Sequence, residues 1–190
     1  MGAAEAIGYT HDAVEGIEAI QWLADDTLVG GVFSRLVPHL PPTLGGDYIA
    51  GINARWRLFR YAPGAEYRAH IDGAWPGAGI GADGSLLDDA YDGTRVTRLT
   101  LLLYLNDGFG GGSTTFLKPN PTVVGHIDAF PVRPLAGAAL YFPHGDSASL
   151  VHEGSAVDEG GVKYIIRTDV LYMREKEVKG TAPPFRGLTK

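Results

Sequence analysis

The sequence predicts a mainly β domain with helices at its N-terminal end, and three observations carry that expectation. From about residue 54 the chain breaks into short runs rich in Val, Ile, Leu, Phe and Tyr, separated by Gly, Pro, Asp and Asn. Many short strands between turn signals argue for a sandwich or barrel. Ahead of them, two stretches carry apolar residues at helical spacing, which places helices against one face of the sheets. A length of 190 residues suits a single domain whose core needs no staple.

The elements follow in order. Residues 12–24 are expected to be helical, because Asp12 can cap, Glu15 stands three residues later, and Val14, Ile17, Ile20 and Leu23 form a stripe. Residues 26–37 form the second expected helix, with Leu28, Val32, Phe33 and Leu36 on one side and Pro38 ending the run. Strands are expected over 55–61, 66–71, 96–105, 113–117, 122–132, 138–142, 149–152 and 162–172. Residues 73–95 stand apart, with six Gly, four Asp and one Pro. A loop of that length in a compact domain is usually functional, and a mobile lid is the expectation. The domain thus divides into helical support over 1–53, a β core over 54–173, and a charged tail over 174–190 expected to be extended or frayed.

Composition excludes several functions. The net charge is −6 and the 16 Lys and Arg are scattered, so no basic stripe points to nucleic acid. With no cysteine, disulfides, thiolate zinc sites and thiolate catalysis are impossible. A metal must then rest on His and carboxylate, which favours iron, manganese or an open zinc site. No run reaches the ~18 apolar residues of a membrane span. The first residues are acidic and lack a basic leader, and a cytoplasmic location is expected. Oligomeric state is left open.

His70-Ile71-Asp72 places an imidazole and a carboxylate at i and i+2, which on a strand leave the same face. A second His from a distant strand would complete a facial triad with three open positions, the arrangement that suits Fe(II). Only six His are present. His152, at the end of SASLVH, is the natural third ligand, and His144, in FPHGD, is the alternative.

RLFRYAPGAEYRAHIDG resembles the segment that carries the HxD motif in prolyl-4-hydroxylase-like Fe(II)/2-oxoglutarate-dependent dioxygenases. LTLLLYLNDGFGGGSTTF, PLAGAALYFPHG and LVHEGSAVDEGGVKYIIRTDVLY resemble that family's following segments, in the same order, over about residues 54 to 172. The resemblance implies a double-stranded β-helix, or jelly roll, with Fe(II) held by His70, Asp72 and His152. It implies 2-oxoglutarate and O2 as co-substrates, with ascorbate as an accessory reductant. The implied chemistry is hydroxylation of an unactivated C–H bond with release of succinate and CO2.

In that family a basic residue anchors the distal carboxylate of 2-oxoglutarate, and burial makes such a partner necessary. Lys163 stands at the family's spacing from His152, and Arg167 on the same strand face is the rival. The resemblance gives Tyr104 a hydroxyl contact to that carboxylate, places Tyr61 on the pocket wall, and adds Thr114 more weakly. Arg68, two residues before His70, and Trp75 and Tyr91 in the 73–95 stretch are the substrate-contact candidates. The substrate is a peptidyl residue, prolyl by analogy, or a free amino acid or other small metabolite. Rival readings are a cupin-like metalloenzyme, a halogenase, and a binding module with a decayed site. Asp72 stands where the halogenases carry Gly or Ala, which argues for hydroxylation.

Overall fold

The computed structural model describes residues 14–145 and 148–174. Along the chain come β1 (Ile17–Leu23), α1 (Asp26–Leu36), β2 (Thr43–Leu44), β3 (Asp47–Ile52), β4 (Arg55–Tyr61) and β5 (Tyr67–His70). They are followed by β6 (Gly79–Ile80), β7 (Leu86–Leu87), β8 (Arg95–Tyr104) and β9 (Thr114–Pro119). The last are β10 (Ile127–Val132), β11 (Ala139–Pro143), β12 (His152–Gly154) and β13 (Lys163–Met173).

A seven-stranded sheet is organised by β13, which pairs antiparallel with β4 and β3 along one edge and with β8 along the other. Beyond these lie β1, β2 and β11. A four-stranded sheet runs β10-β9-β12-β5. Side chains of both sheets meet in one cluster that includes Phe59, Tyr61, Leu102, Tyr104, Phe116, Phe142 and Ile165. This is the double-layered jelly roll that the family resemblance implies.

Strand period explains the other layer. On β4, β8 and β13 the alternate residues Trp56, Leu99, Leu101, Val170 and Tyr172 leave the opposite face and pack under Phe33 of α1. The helix begins where predicted: Asp25 Oδ1 accepts from Leu28 N–H at 2.8 Å, Asp26 complements the N-terminus, and Arg35 the last turn. It ends before Pro38.

The expected helix over 12–24 is not formed among the described residues; Asp12 itself lies outside them. Ile17–Leu23 instead pairs with Arg55–Tyr61 through seven consecutive residues. The spacing that suggested a helix comes from Ile17, Ile20 and Leu23, but the segment is also rich in β-branched and aromatic residues, and pairing with β4 decides. Gly16 makes the entry possible: its φ is +77°, and a Cβ there would lie 2.9 Å from the Cβ of Ala65. The expected strand at 149–152 is shifted to His152–Gly154, and the tail 175–190 lies outside the described residues. No helix among the described residues is long and apolar enough to cross a membrane.

Residues 73–95 are structured and pinned to the large sheet. They carry the β6–β7 hairpin, and Pro76 bridges Val96 beside β8. Buried Asn53 holds their root. Its Oδ1 accepts from Ala78 N–H at 3.1 Å, and its Nδ2 donates to Pro76 O at 3.3 Å. Arg55 pairs with Asp88, and the Tyr91 ring lies under the Arg95 guanidinium at 4.2 Å. The expectation of a mobile lid gives way to a docked hairpin, in which Gly77 and Gly79 serve close packing. A Cβ on Gly77 would meet the Tyr91 ring at 2.6 Å.

Asn53→Ala would remove the side-chain partner of Ala78 N–H, Arg55 N–H and Pro76 O, a cost of about 1–3 kcal/mol. Urea unfolding should show that loss. Hydrogen exchange should show faster exchange across residues 76–90 than across β8.

Candidate metal centre

His70 and His152 are direct cross-strand partners at the junction of β5 and β12. Their rings lie 4.3 Å apart, centroid to centroid. Asp72 follows two residues after His70 and turns its carboxylate between them. Its Oδ1 is 3.5 Å from His70 Nε2 and its Oδ2 is 3.6 Å from His152 Nε2. One ligand atom from each residue lies within 4.8 Å of the others, so a single ion can reach all three at bond lengths of ~2 Å.

The backbone aims both imidazoles. Nδ1 of His70 donates to Arg68 O at 2.8 Å, and Nδ1 of His152 donates to Leu150 O at 3.0 Å. That assignment leaves each Nε2 lone pair directed at the common point, the arrangement that metal-binding histidines require. Burial pushes the His152 imidazole pKa down, which keeps it neutral and ready to ligate. Burial alone would raise the Asp72 pKa. The adjacent His70 imidazole, the nearby Arg167 charge and the Thr100 hydroxyl outweigh it and hold the carboxyl well below the usual carboxylate range. Arg167 Nη2 is 2.9 Å from Asp72 Oδ1, and Thr100 Oγ1 donates to Asp72 Oδ2 at 2.6 Å.

Behind Asp72 runs a chain of hydrogen bonds whose proton positions follow from counting. Thr100 spends its one hydroxyl proton on Asp72, so it accepts from His144 Nδ1–H at 2.8 Å. His144 Nε2 then accepts from Thr97 Oγ1–H at 2.9 Å, and Thr97 accepts from Trp75 N–H at 2.8 Å. His144 is buried, and burial lowers its pKa, in keeping with a neutral ring. The alternative ligand of the sequence reading is therefore a relay residue outside the triad. Asp169 is buried nearby, 3.9 Å from Arg167, with its Oδ1 unbonded; burial pushes its pKa up.

The triad stands on the wall of a cavity of about 500 Å³ between the sheets. At the far end Lys163 is 1% exposed. Its Nζ donates to Gly112 O at 2.7 Å and lies 4.8 Å from the centroid of the Tyr61 ring. Gly112 adopts φ +65° to present that carbonyl, and a Cβ there would strike the Phe109 ring at 2.7 Å. Among the described residues Lys163 has no acidic partner within 4 Å, and burial lowers its pKa to about 8. Tyr104 O–H donates to Thr114 Oγ1 at 2.8 Å, which leaves the Thr114 hydroxyl proton free for the cavity it lines. Tyr61 also lines the cavity.

The residue match decides the family. Residues 56–168 fit the 2OG-Fe(II) oxygenase superfamily. The chain belongs to that superfamily. The oxygenase is an oxidoreductase that uses Fe(II), 2-oxoglutarate and O2, and the His–Asp–His cluster just described fits the metal. No curated protein sequence matches it.

Among solved structures, the oxygenase resembles a prolyl hydroxylase from Trichoplax adhaerens, solved in complex with a hypoxia inducible factor oxygen degradation domain peptide fragment. Identity is 20% and the TM-score 0.50, over 86% of this chain and 67% of that one. A viral collagen prolyl hydroxylase from Paramecium Bursaria Chlorella virus-1, solved with 2-oxoglutarate, is 23% identical, with a TM-score of 0.35 over 63% of this chain and 58% of that one. HygX from Streptomyces hygroscopicus, with nickel and 2-oxoglutarate bound, is 11% identical, with a TM-score of 0.44 over 84% and 72%. At these identities the likeness concerns the fold.

The oxygenase brings together His70, Asp72, His152, Lys163, Tyr61, Thr114 and Arg167 around one cavity, with Tyr104 bonded behind it. Arg68, Trp75 and Tyr91 do not line it. Arg68 is exposed, Trp75 is 42% exposed beside Arg55, and Tyr91 packs on Gly77. The sequence reading missed Arg57, Thr97 and Thr100. Arg57 had a signal: in RWRLFRY it shares the inward period with Phe59 and Tyr61.

His144→Leu would cut the relay and leave the Thr100 hydroxyl without its donor. Mn(II) affinity should fall about 10–100-fold, the usual effect of losing an outer partner of a ligand. Titration of the metal-free protein with Mn(II), followed by electron paramagnetic resonance, measures it. Unchanged affinity would show that the relay does not position Asp72.

Proposed function

We propose that the protein is a prolyl-4-hydroxylase-like hydroxylase in which His70, Asp72 and His152 hold Fe(II) and Lys163 anchors the distal carboxylate of 2-oxoglutarate. When bound, Fe(II) with 2-oxoglutarate and O2 supplies oxidation of an unactivated C–H bond, with succinate and CO2 as co-products. The observation that carries the reading is the buried cation at one end of a cavity whose other end is the triad. Lys163 has no acidic partner among the described residues, and a buried ammonium without a counter-ion is costly until an anion arrives.

Arg167 is less suited to that anchoring role, because its guanidinium is already engaged by Asp72 at 2.9 Å. Tyr61 and the Tyr104–Thr114 pair supply hydroxyls at the Lys163 end. Asp72 supports hydroxylation over halogenation, since a carboxylate fills the position a halide would need. A peptidyl substrate and a small free molecule both fit this machinery, and the reading covers either.

The decisive experiment supplies Fe(II), 2-oxoglutarate and O2 and follows succinate. Turnover should vanish in His70→Ala, Asp72→Ala and His152→Ala. Lys163→Ala should raise KM for 2-oxoglutarate at least about tenfold, equivalent to about 1.4 kcal/mol. A large KM effect in Arg167→Ala without one in Lys163→Ala would exchange the two roles. No 2-oxoglutarate binding or consumption by the wild-type protein would sink the reading and favour a cupin-like metalloenzyme.

The Lys163 pKa also sets a pH dependence. Free Lys163 titrates at about 8, and a bound carboxylate raises that value, so the complex holds the proton that the free protein gives up. Affinity for 2-oxoglutarate should therefore be greatest below pH 8 and weaken as the pH rises above it. Lys163→Arg keeps its charge throughout and should flatten the profile. A flat wild-type profile between pH 7 and 9.5 would remove Lys163 from the binding step.

A further inference from the structure

Arg57 is a cavity-lining charge that the chemistry above leaves unused. It lies on β4 with its side chain inward, 8% exposed, on the same wall as Asp72. Among the described residues it makes no side-chain hydrogen bond or ion pair. Its direct cross-strand partner is Arg167, so two guanidinium groups stand side by side. Like charges directly opposite are unfavourable in a sheet, and burial deepens the cost.

No nearby acid among the described residues forms an ion pair with Arg57. Asp72 holds Arg167 and Thr100. Asp169 is buried 3.9 Å from Arg167 with its Oδ1 unbonded, and its attraction for Arg57, which makes no ion pair with it, is outweighed by burial and by the Arg167 charge. Glu18 pairs with Arg60 at 3.2 Å, and Glu153 accepts from Ser155 at 3.1 Å. The distal carboxylate of the co-substrate does not reach Arg57. That carboxylate belongs to Lys163, four residues along β13 from Arg167, which at ~3.3 Å per residue is roughly 13 Å away.

We infer that Arg57, backed by Arg167, receives a carboxylate carried by the primary substrate, so that the substrate is a small organic acid such as a free amino acid. This rests on the proposed hydroxylase reading and narrows its substrate class. A planar guanidinium offers two parallel N–H donors, which match the two oxygens of a carboxylate. An internal prolyl residue of a peptide brings only amides, which would leave Arg57 unpaired. The size agrees: about 500 Å³ lies within the range of small-ligand sites. Ile17, Ala19 and Leu102 on the walls suit an aliphatic body beside the acid group.

Calorimetric titration of the protein loaded with Mn(II) and 2-oxoglutarate tests this without turnover. The probes are the free L-amino acids, their primary amides, and tripeptides blocked at both ends. At least one free acid should bind, and its amide should bind at least about tenfold more weakly, since an unpaired buried charge then remains. Arg57→Leu should weaken that acid at least about tenfold, and Arg57→Lys less, while 2-oxoglutarate affinity moves less than about twofold. If Arg57→Leu does not fold, Arg57→Gln serves the same comparison. Amides binding as well as acids, blocked peptides binding more tightly, or no acid binding in the millimolar range would each overturn the inference. So would a loss of 2-oxoglutarate affinity in Arg57→Leu, which would give Arg57 to the co-substrate. Failure of 2-oxoglutarate itself to bind the wild-type protein is a different result and defeats the hydroxylase reading beneath it.

Discussion

A buried carboxylate is the constraint on which the architecture depends. Asp72 is 5% exposed, and an ionised acid at that depth must be surrounded by compensating groups. They come from both layers. His70 and His152 belong to the small sheet, whereas Thr100 on β8 and Arg167 on β13 belong to the large one. The two sheets must therefore be held at a fixed spacing and register. A one-residue slip of β13 would turn Arg167 and Lys163 out of the cavity together, because side chains alternate faces. Pairing of β13 with β4 and β3 on one edge and β8 on the other opposes such a slip.

The same constraint reaches outward through hydrogen bonds. The relay from Asp72 through Thr100, His144 and Thr97 ends on the backbone N–H of Trp75, at the start of the pinned stretch 73–95. Asn53 holds that stretch from the other side and also accepts, through its backbone oxygen, from Trp56 Nε1 and Thr168 Oγ1. Thus the segment that follows the carboxylate ligand is tied to the same sheet that supplies Thr100 and Arg167. The glycine-rich composition that suggested mobility allows tight packing against Tyr91 and Ala90 instead.

What the sequence shows depends on the range of the interaction. The strand over 55–61 was legible to the residue, because RWRLFRY alternates and turn signals flank it. The helix over 26–36 was legible through its apolar spacing and its stop at Pro38. The strand over 17–23 was not, since three apolar residues spaced by three fit a helix as well as they fit a partner strand. Only β4, more than thirty residues away, resolves that choice. In the site, His70 and Asp72 could be seen because they are close in sequence and their spacing carries geometry. His152 was singled out among few histidines and by resemblance. Arg57, Thr97 and Thr100 carry no local signal of comparable strength. Their role exists only once β4, β8 and β13 lie side by side.

The division of labour between the two faces of β13 explains how a strand this polar can sit at the centre of the domain. Lys163, Arg167 and Asp169 project toward the cavity side, where each needs a specific partner. Val170 and Tyr172 project the other way, into the cluster under α1 with Trp56, Leu99 and Leu101. That second cluster is apolar, and at ~25 cal/mol per Å² of apolar surface it adds favourable burial to that of the inter-sheet cluster around Phe59, Phe116 and Ile165. The helix is therefore more than a cover. By adding a core on the outer face of the large sheet, it allows part of the inner face to keep an open, charged cavity. That openness is what a site for a metal, a dicarboxylate and a third molecule requires. Stability added on one face of a sheet leaves part of the other free for chemistry.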